Sequence, residues 1–183
     1  MKPKKTQRAE YYDAKLSNHR FWIEKGLDLH QAASAVEPLV TQSVRAQRVD
    51  LGLEPPSETT EPQPRAGITD VYLLLLGYTA ECFIKARLTR KLLRGLKGHK
   101  FDAEVLPQKL KSHELRRLCE DAGIRLLPRE DRVLGLLEEA VKWRGRYPVP
   151  GLAANLKATW LSETDLRVAE SFLRRLMPRS ANP

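Results

Sequence analysis

A glutamate and a lysine stand inside the most apolar segment of the chain, "LLLLGYTAECFIKARL", which covers residues 73–88. On a helix Lys85 lies four residues after Glu81 on the same face, where the two side chains can pair. The other helical neighbours of Glu81 are mostly apolar, and an unpaired carboxylate is costly to bury among them. The spacing therefore predicts a charge pair held in the interior of the protein.

A second segment can bring a cation to the same place. Val133, Leu137 and Val141 recur at helical spacing and form the apolar stripe of a later helix. Arg144 continues that stripe. The two helices thus offer an acid and a base to one interior seam.

Two interpretations of this seam stay open. In the first, Glu81 and a base form an internal ion pair that only fixes the register of the helices. In the second, Lys85, Arg144 and Arg146 border a phosphate-sized pocket, and Tyr147 offers a ring on which a base can stack. Both interpretations predict that Glu81 is buried and partnered.

Of the four histidines in the chain, His113 lies at the start of a predicted helix. A histidine there is usually a surface or capping residue, although it could touch a phosphate, and it is a weak catalytic candidate together with Arg146. No cysteine or serine nucleophile partners it in the sequence. No spacing of Cys and His predicts a metal site, and no cofactor is expected.

Nearly every long segment of the chain has the periodicity of an amphipathic helix, and none alternates with period two over a useful length. The sequence therefore predicts an all-α, up-and-down bundle of about five helices. Ser112 is predicted to cap the third helix, Pro128 to open the fourth, and Ser162 with Asp165 to start the last. The predicted helices lie near residues 10–50, 68–95, 112–122, 129–144 and 163–177.

The segment 52–67 contains four prolines and cannot be a helix interior. We interpret it as a long loop between the first two helices, because the residues before it are too few for a core of their own. Pro38 is expected to bend or restart the first helix. Residues 1–183 are thus predicted to form a single domain.

The chain carries 32 Lys and Arg against 23 Asp and Glu, a net charge of +9. A basic surface attracts nucleic acid, nucleotides or acidic membranes, although a charge surplus can serve solubility alone. Cys82 and Cys119 are predicted to be small buried hydrophobic residues. The apolar run 71–84 is too short to span a membrane, and the N-terminus lacks the apolar core of a secretory signal, so a cytoplasmic protein without a membrane partner is expected.

Three short stretches, in this order, resemble the HEPN family (higher eukaryotes and prokaryotes nucleotide-binding domain). They are "GYTAECFIKARL" at 77–88, "KSHELRRL" at 111–118 and "VKWRGRYP" at 141–148. The family tends to have Ala-Glu and an aliphatic-Lys pair on its second helix, His-x-Leu at the start of the third, and Arg-Tyr-Pro near the end of the fourth. The resemblance implies a helical bundle and a homodimer. It also implies a role in toxin–antitoxin or phage-defence systems.

The chain departs from the family in one respect that concerns activity. Ribonuclease members have an Arg followed a few residues later by a His on the C-terminal side of the bundle, whereas the last histidine here is His113. The string "RGLKGH", from Arg94 to His99, matches by spacing but contains two glycines and lies at the end of a predicted helix. We interpret it as a helix terminus and a chance match.

Taken with the resemblance, the residues predict a HEPN-like module that binds nucleotide or RNA, acts with a protein partner and has little or no catalytic activity. One alternative is a metal-independent endoribonuclease with a rearranged active site. Another is a structural dimerisation or adaptor domain. The expected ligand-binding residues are Glu81, Lys85, His113, Arg144, Arg146 and Tyr147.

Overall fold

Over the residues it describes, the computed structural model has six α-helices, one π-helical turn and no strand. The predicted all-α bundle is confirmed. The structure describes residues 7, 11, 14, 15, 17–50, 52–53, 67–96, 101, 107–144 and 162–177. For residues 47, 50, 143 and 144 it describes the backbone but not the side chain. The helices are α1 (His19–Asp50), α2 (Ile68–Arg94), α3 (Gln108–Lys111), α4 (Leu115–Ala122), α5 (Pro128–Glu139) and α6 (Glu163–Leu176), and the π-helical turn is Ala140–Arg144.

The first long helix begins at His19. Residues 11, 14 and 15 are also helical, as predicted, but helical structure is interrupted at residues 17–18. The side chain of Asn18 accepts a hydrogen bond from the backbone N–H of Arg20 at 3.0 Å. Asparagine favours such a cap, since its side-chain oxygen satisfies a backbone donor that has no partner within the helix. The cap fixes a helix start that apolar periodicity alone did not reveal.

Pro38 lies inside α1, which continues through it without restarting. The missing N–H of a proline leaves the carbonyl four residues earlier, that of Ser34, without its helical partner. Both residues are exposed, so water can satisfy that carbonyl. The expectation of a restart is therefore wrong, and the exposed position is what makes the proline tolerable.

The central element of the bundle is α2, which contacts each of the other five helices and the π-helical turn. It runs antiparallel to α1, because Gly26 packs on Phe83 while Glu37, further along α1, lies near Tyr72 at the start of α2. Phe83 and Tyr72 are both fully buried. Burial on nearly every side explains why the sequence of α2 is apolar almost all round.

The segment before α4 differs from the prediction. The short helix α3 was not anticipated, and α4 starts at Leu115 and not at Ser112. Ser112 is the C-cap of α3, and its hydroxyl accepts the N–H of Glu114 at 3.0 Å. The serine therefore shapes a turn between two helices, and this turn carries His113. α4 ends at Ala122, as the predicted range has it, and Gly123 follows with a left-handed φ of 74°.

The fourth predicted helix consists of two parts. Pro128 stands in its first turn, as expected, and α5 extends to Glu139. The chain then continues as a π-helical turn, in which hydrogen bonds join residues five apart instead of four. The α-helical spacing that linked Arg144 to Leu137 and Val141 therefore does not hold as far as residue 144.

The last helix, α6, starts as the sequence predicts. The hydroxyl of Ser162 accepts the backbone N–H of Asp165 at 3.1 Å, and a carboxylate oxygen of Asp165 accepts the N–H of Ser162 at 3.0 Å. This reciprocal arrangement is a capping box. The predicted proline-rich loop at 52–67 falls mostly on residues 54–66, which lie outside the described part of the chain.

Candidate functional site

Glu81 is buried and has two partners. Its residue exposure is 5%, and that of Lys85 is 3%. The ammonium of Lys85 donates to Oε1 of Glu81 at 2.6 Å, and Nδ1 of His113 lies 2.8 Å from Oε2. The pairing of Glu81 with Lys85 confirms the spacing argument. The third member comes from the turn before α4, which the sequence did not predict as a partner of Glu81.

His113 differs from its two partners in being accessible: half of its side chain, 51%, is exposed. A carboxylate only accepts hydrogen bonds, so Nδ1 of His113 must carry the proton of this contact. In the neutral imidazole the other ring nitrogen, Nε2, is then an acceptor. The buried Glu81 thus holds a half-exposed histidine in one orientation and one tautomer.

An aromatic ring completes this cluster of Glu81, Lys85 and His113. The ammonium of Lys85 lies 5.4 Å from the centroid of the Trp22 ring, within the range of a cation–π contact. Trp22 belongs to α1, so three separate parts of the chain meet at Lys85 and Glu81. The sequence analysis did not identify Trp22 as part of the site. A tryptophan in a helix predicted to pack beside a buried lysine suggests a cation–π contact, and this pattern could have identified Trp22 from the sequence.

The chain from α5 into the π-helical turn approaches α2 one helical turn before Glu81, at Gly77. A Cβ atom at Gly77 would lie 2.8 Å from the carbonyl oxygen of Leu137 and 2.6 Å from a methyl group of Val141. The chain from α5 therefore packs closely on α2 at Gly77. Because Gly77 and Glu81 are four residues apart on one helix face, the π-helical turn and the cluster share that face.

The remaining predicted site residues divide by position. Arg144 ends the π-helical turn, and only its backbone is described. Arg146 and Tyr147 lie outside the described residues, as does His99 of the "RGLKGH" string. Arg94 is the last residue of α2, as the interpretation of that string as a helix terminus expects. Of the predicted ligand-binding residues, the structure thus brings together Glu81, Lys85 and His113.

A second polar cluster, which the sequence did not reveal, joins three helices at another level of the bundle. Nε2 of His30 lies 3.1 Å from one oxygen of Glu170, and the hydroxyl of Tyr72 donates to the other at 3.3 Å. The hydrogen bond from His30 is the main cause that lowers the pKa of Glu170, against the opposing effect of burial. Burial, followed by the charge of Glu170, raises the pKa of the Tyr72 hydroxyl.

The lowered pKa of Glu170 predicts a loss of stability in acid. A carboxylate whose pKa is lowered by folding stabilises the native state above its unfolded value, near 4.5, and this contribution disappears as the pH falls through the folded pKa. We expect the wild-type protein to have a higher melting temperature than the Glu170→Gln variant at neutral pH. The difference between the two melting temperatures should become smaller as the pH falls below about 4.5. Thermal denaturation of both proteins from neutral to acidic pH tests this prediction. A difference in melting temperature that does not change with pH would contradict it.

Neither cysteine has the character of a reactive thiol. Cys82 and Cys119 are buried, as predicted, and burial raises the pKa of each thiol to about 12. No group of three or more potential metal ligands occurs within the described ranges. None of the helices described here has the length and apolar character needed to cross a membrane.

No protein-family model, curated protein or solved structure significantly matches the chain. The resemblance to the HEPN family therefore rests on the three motifs and their order along the chain. Two of those motifs contribute directly to the cluster, since Glu81 and Lys85 come from the first and His113 from the second.

Proposed function

We propose that this chain is a HEPN-like helical module that binds RNA or nucleotide and acts with a protein partner, in the cytoplasm, in a toxin–antitoxin or phage-defence setting. The observation that carries the proposal is the contact between the half-exposed His113 and the buried Glu81. The net charge of +9 favours an anionic ligand.

The cluster has one member more than an internal ion pair requires. Lys85 alone can neutralise Glu81, yet the second carboxylate oxygen is used to orient a histidine that is open to solvent. A side chain that is already held in one orientation loses less conformational entropy when a ligand binds, so the entropic cost of binding is smaller. In this proposal His113 contacts a phosphate or a base, and Arg144, Arg146 and Tyr147 supply the further cations and the stacking ring.

His113→Ala is expected to weaken the binding of a fluorescently labelled single-stranded RNA about tenfold, the loss typical of one hydrogen bond to a charged group. Fluorescence anisotropy at low salt measures it, and wild-type affinity should fall as salt rises. Glu114→Ala, at the neighbouring exposed position, is the control and should bind as wild type. Equal affinities for wild type and His113→Ala would remove His113 from the site.

A metal-independent endoribonuclease is the second candidate, and the same hydrogen bond favours it. An imidazole that donates Nδ1–H to a carboxylate keeps Nε2 free for proton transfer, which is the role of a general base. Cleavage of RNA in EDTA, its loss in His113→Ala, and resistance of a strand with a 2′-deoxy sugar at the cut site would establish this activity. RNA binding without cleavage in EDTA would support the non-catalytic module.

A structural adaptor is the third candidate, and it differs in its behaviour towards RNA. Such a protein would neither bind nor cleave RNA. If it self-associates, its molar mass in solution would still be that of an oligomer. A homodimer is part of the leading proposal as well, so dimerisation alone does not separate the two. The separation comes from RNA or nucleotide binding, measured on the same sample by light scattering and anisotropy.

A further inference from the structure

A basic groove lies on the face of α2 that is opposite to Glu81 and Lys85. Four cationic side chains of α2 line it, at spacings of three, one and three residues, and Arg175 of α6 joins them. Ile23, Phe83 and Leu176 contribute an apolar floor. The cavity has a volume of about 680 Å³, which is within the range of pockets for single small ligands. The four cations of α2 are Arg87, Arg90, Lys91 and Arg94.

Some of these cations have a structural task. Arg87 donates to the carbonyls of Arg175 and Leu176 at the end of α6, and Lys91 donates to the carbonyl of Asp121 at the end of α4. Cations at the C-terminal ends of helices are favourable because the helix dipole is negative there. Carbonyls do not remove the positive charge, so Arg87 and Lys91 still contribute to the field of the groove.

Arg175 is neutralised by a carboxylate, whereas Arg90 and Arg94 have no carboxylate partner among the described residues. Arg175 forms two hydrogen bonds with the buried carboxylate of Glu130, at 2.6 and 3.1 Å. Arg90 and Arg94 are exposed and make no ion pair or hydrogen bond with any residue in the described part of the chain. No aspartate or glutamate of that part lines the groove. The groove thus concentrates positive charge above an apolar floor.

The positive charge of the groove affects His19, which lies at the start of α1 and also lines the groove. Burial, followed by the charges of Arg90 and Arg20, lowers the pKa of His19. Mutual repulsion of this kind costs stability in the empty protein, and a bound anion would relieve it. Arg90 and Arg94 are one helical turn apart, so both guanidinium groups can contact neighbouring phosphoryl groups of one chain.

We propose that this groove binds a polyphosphate chain, either free or as part of a nucleoside triphosphate whose base lies on the apolar floor. The site is separate from the cluster of Glu81 and His113, and does not depend on the function proposed for it. Its volume and apolar floor favour a single small ligand over an extended nucleic-acid strand.

The test uses four probes with the full chain: sodium tripolyphosphate, ATP, adenosine and an RNA oligonucleotide with a 5′-hydroxyl. Tripolyphosphate and ATP are expected to raise the melting temperature and to bind in calorimetry at low salt, whereas adenosine does neither. ATP binding more tightly than tripolyphosphate would identify a nucleotide site. Equal affinities of the two would identify a site for the phosphate chain itself.

The residues are tested by removing one charge at a time. Arg90→Gln and Arg94→Gln should each weaken tripolyphosphate binding about tenfold. Arg117→Gln, at an exposed cation of α4, removes the same charge elsewhere and should change the affinity less than about twofold. Without ligand, Arg90→Gln should melt at or above the wild-type temperature, because it removes a repelling charge and leaves no described partner unpaired.

Three results would overturn the proposal. The first is no binding of tripolyphosphate or ATP, and the second is an equal loss of binding in Arg117→Gln and Arg90→Gln. The third is an affinity for RNA that grows with oligonucleotide length and is lost in Arg90→Gln, which would make the groove a nucleic-acid surface. In a protein that already carries His113→Ala, Arg90→Gln should still weaken tripolyphosphate binding about tenfold, so failure at one site is distinguishable from failure at the other.

Discussion

Glu81→Ala is expected to lower the free energy of unfolding by about 3–5 kcal/mol, the cost typical of leaving one member of a buried ion pair alone. The substitution leaves the ammonium of Lys85 buried without its carboxylate, and it removes the acceptor that orients His113. The ammonium is left among mostly apolar neighbours, because Lys85 is almost fully buried. Urea denaturation of wild type and variant measures the difference.

Two controls separate the buried charge from a general effect of substitution. Glu163→Ala breaks an exposed pair with Arg167 of the same helical spacing and should cost less than about 1 kcal/mol. The double variant Glu81→Met/Lys85→Met removes both charges and keeps apolar volume, so it should be far closer to wild type than Glu81→Ala. If Glu81→Ala is no more destabilised than Glu163→Ala, the buried pair does not carry the stability assigned to it.

The same experiment distinguishes stability from function. The double Met variant should fold, yet it lacks the carboxylate that fixes His113, so the RNA-binding proposal expects it to bind more weakly than wild type. A well-folded double variant with unchanged RNA affinity would mean that the orientation of His113 does not matter for binding. The pair would then serve only the register of the helices.

Periodicity and local chemistry predicted much of the fold, because they act over a few residues. The α2 segment, the Gly123 terminus and the Ser162 cap depend on helical spacing, a left-handed glycine and a capping side chain. Where prediction failed, a single residue had more than one possible role. Ser112 is a good N-cap by type, yet it terminates α3, because the four residues before it form a helical turn of their own.

The candidate site was predictable only within one helix. The pairing of Glu81 with Lys85 follows from their four-residue spacing, whereas the contact with His113 joins residues 32 positions apart and depends on how a turn packs. Arg144 was expected at the seam from an α-helical stripe that the π-helical turn interrupts. Four cations of the basic groove lie close together on α2, but the groove itself escaped prediction because His19, Ile23 and residues 175–177 come from distant parts of the chain.

Gly77→Val is expected to destabilise the protein by about 3 kcal/mol, because it overpacks the crossing of α2 with α5 and the π-helical turn. One obstacle is the backbone carbonyl of Leu137, only 2.8 Å from the position of a Cβ atom, and backbone cannot rotate away as a side-chain end can. Relief requires α5 to move as a unit, together with Val141 and the turn that leads to Arg144.

Gly95→Val provides the matched control at the end of the same helix. Gly95 has an ordinary φ of −85°, and a Cβ atom there would lie 3.6 Å from the nearest heavy atom, so the cost should stay below about 1 kcal/mol. Thermal and urea denaturation compare the two variants, and equal stability would show that the crossing is not tight at Gly77. RNA binding provides a second measurement on the folded Gly77→Val protein. Displacement of the π-helical turn should weaken RNA binding, because the proposed ligand-binding residues Arg146 and Tyr147 follow that turn in the chain.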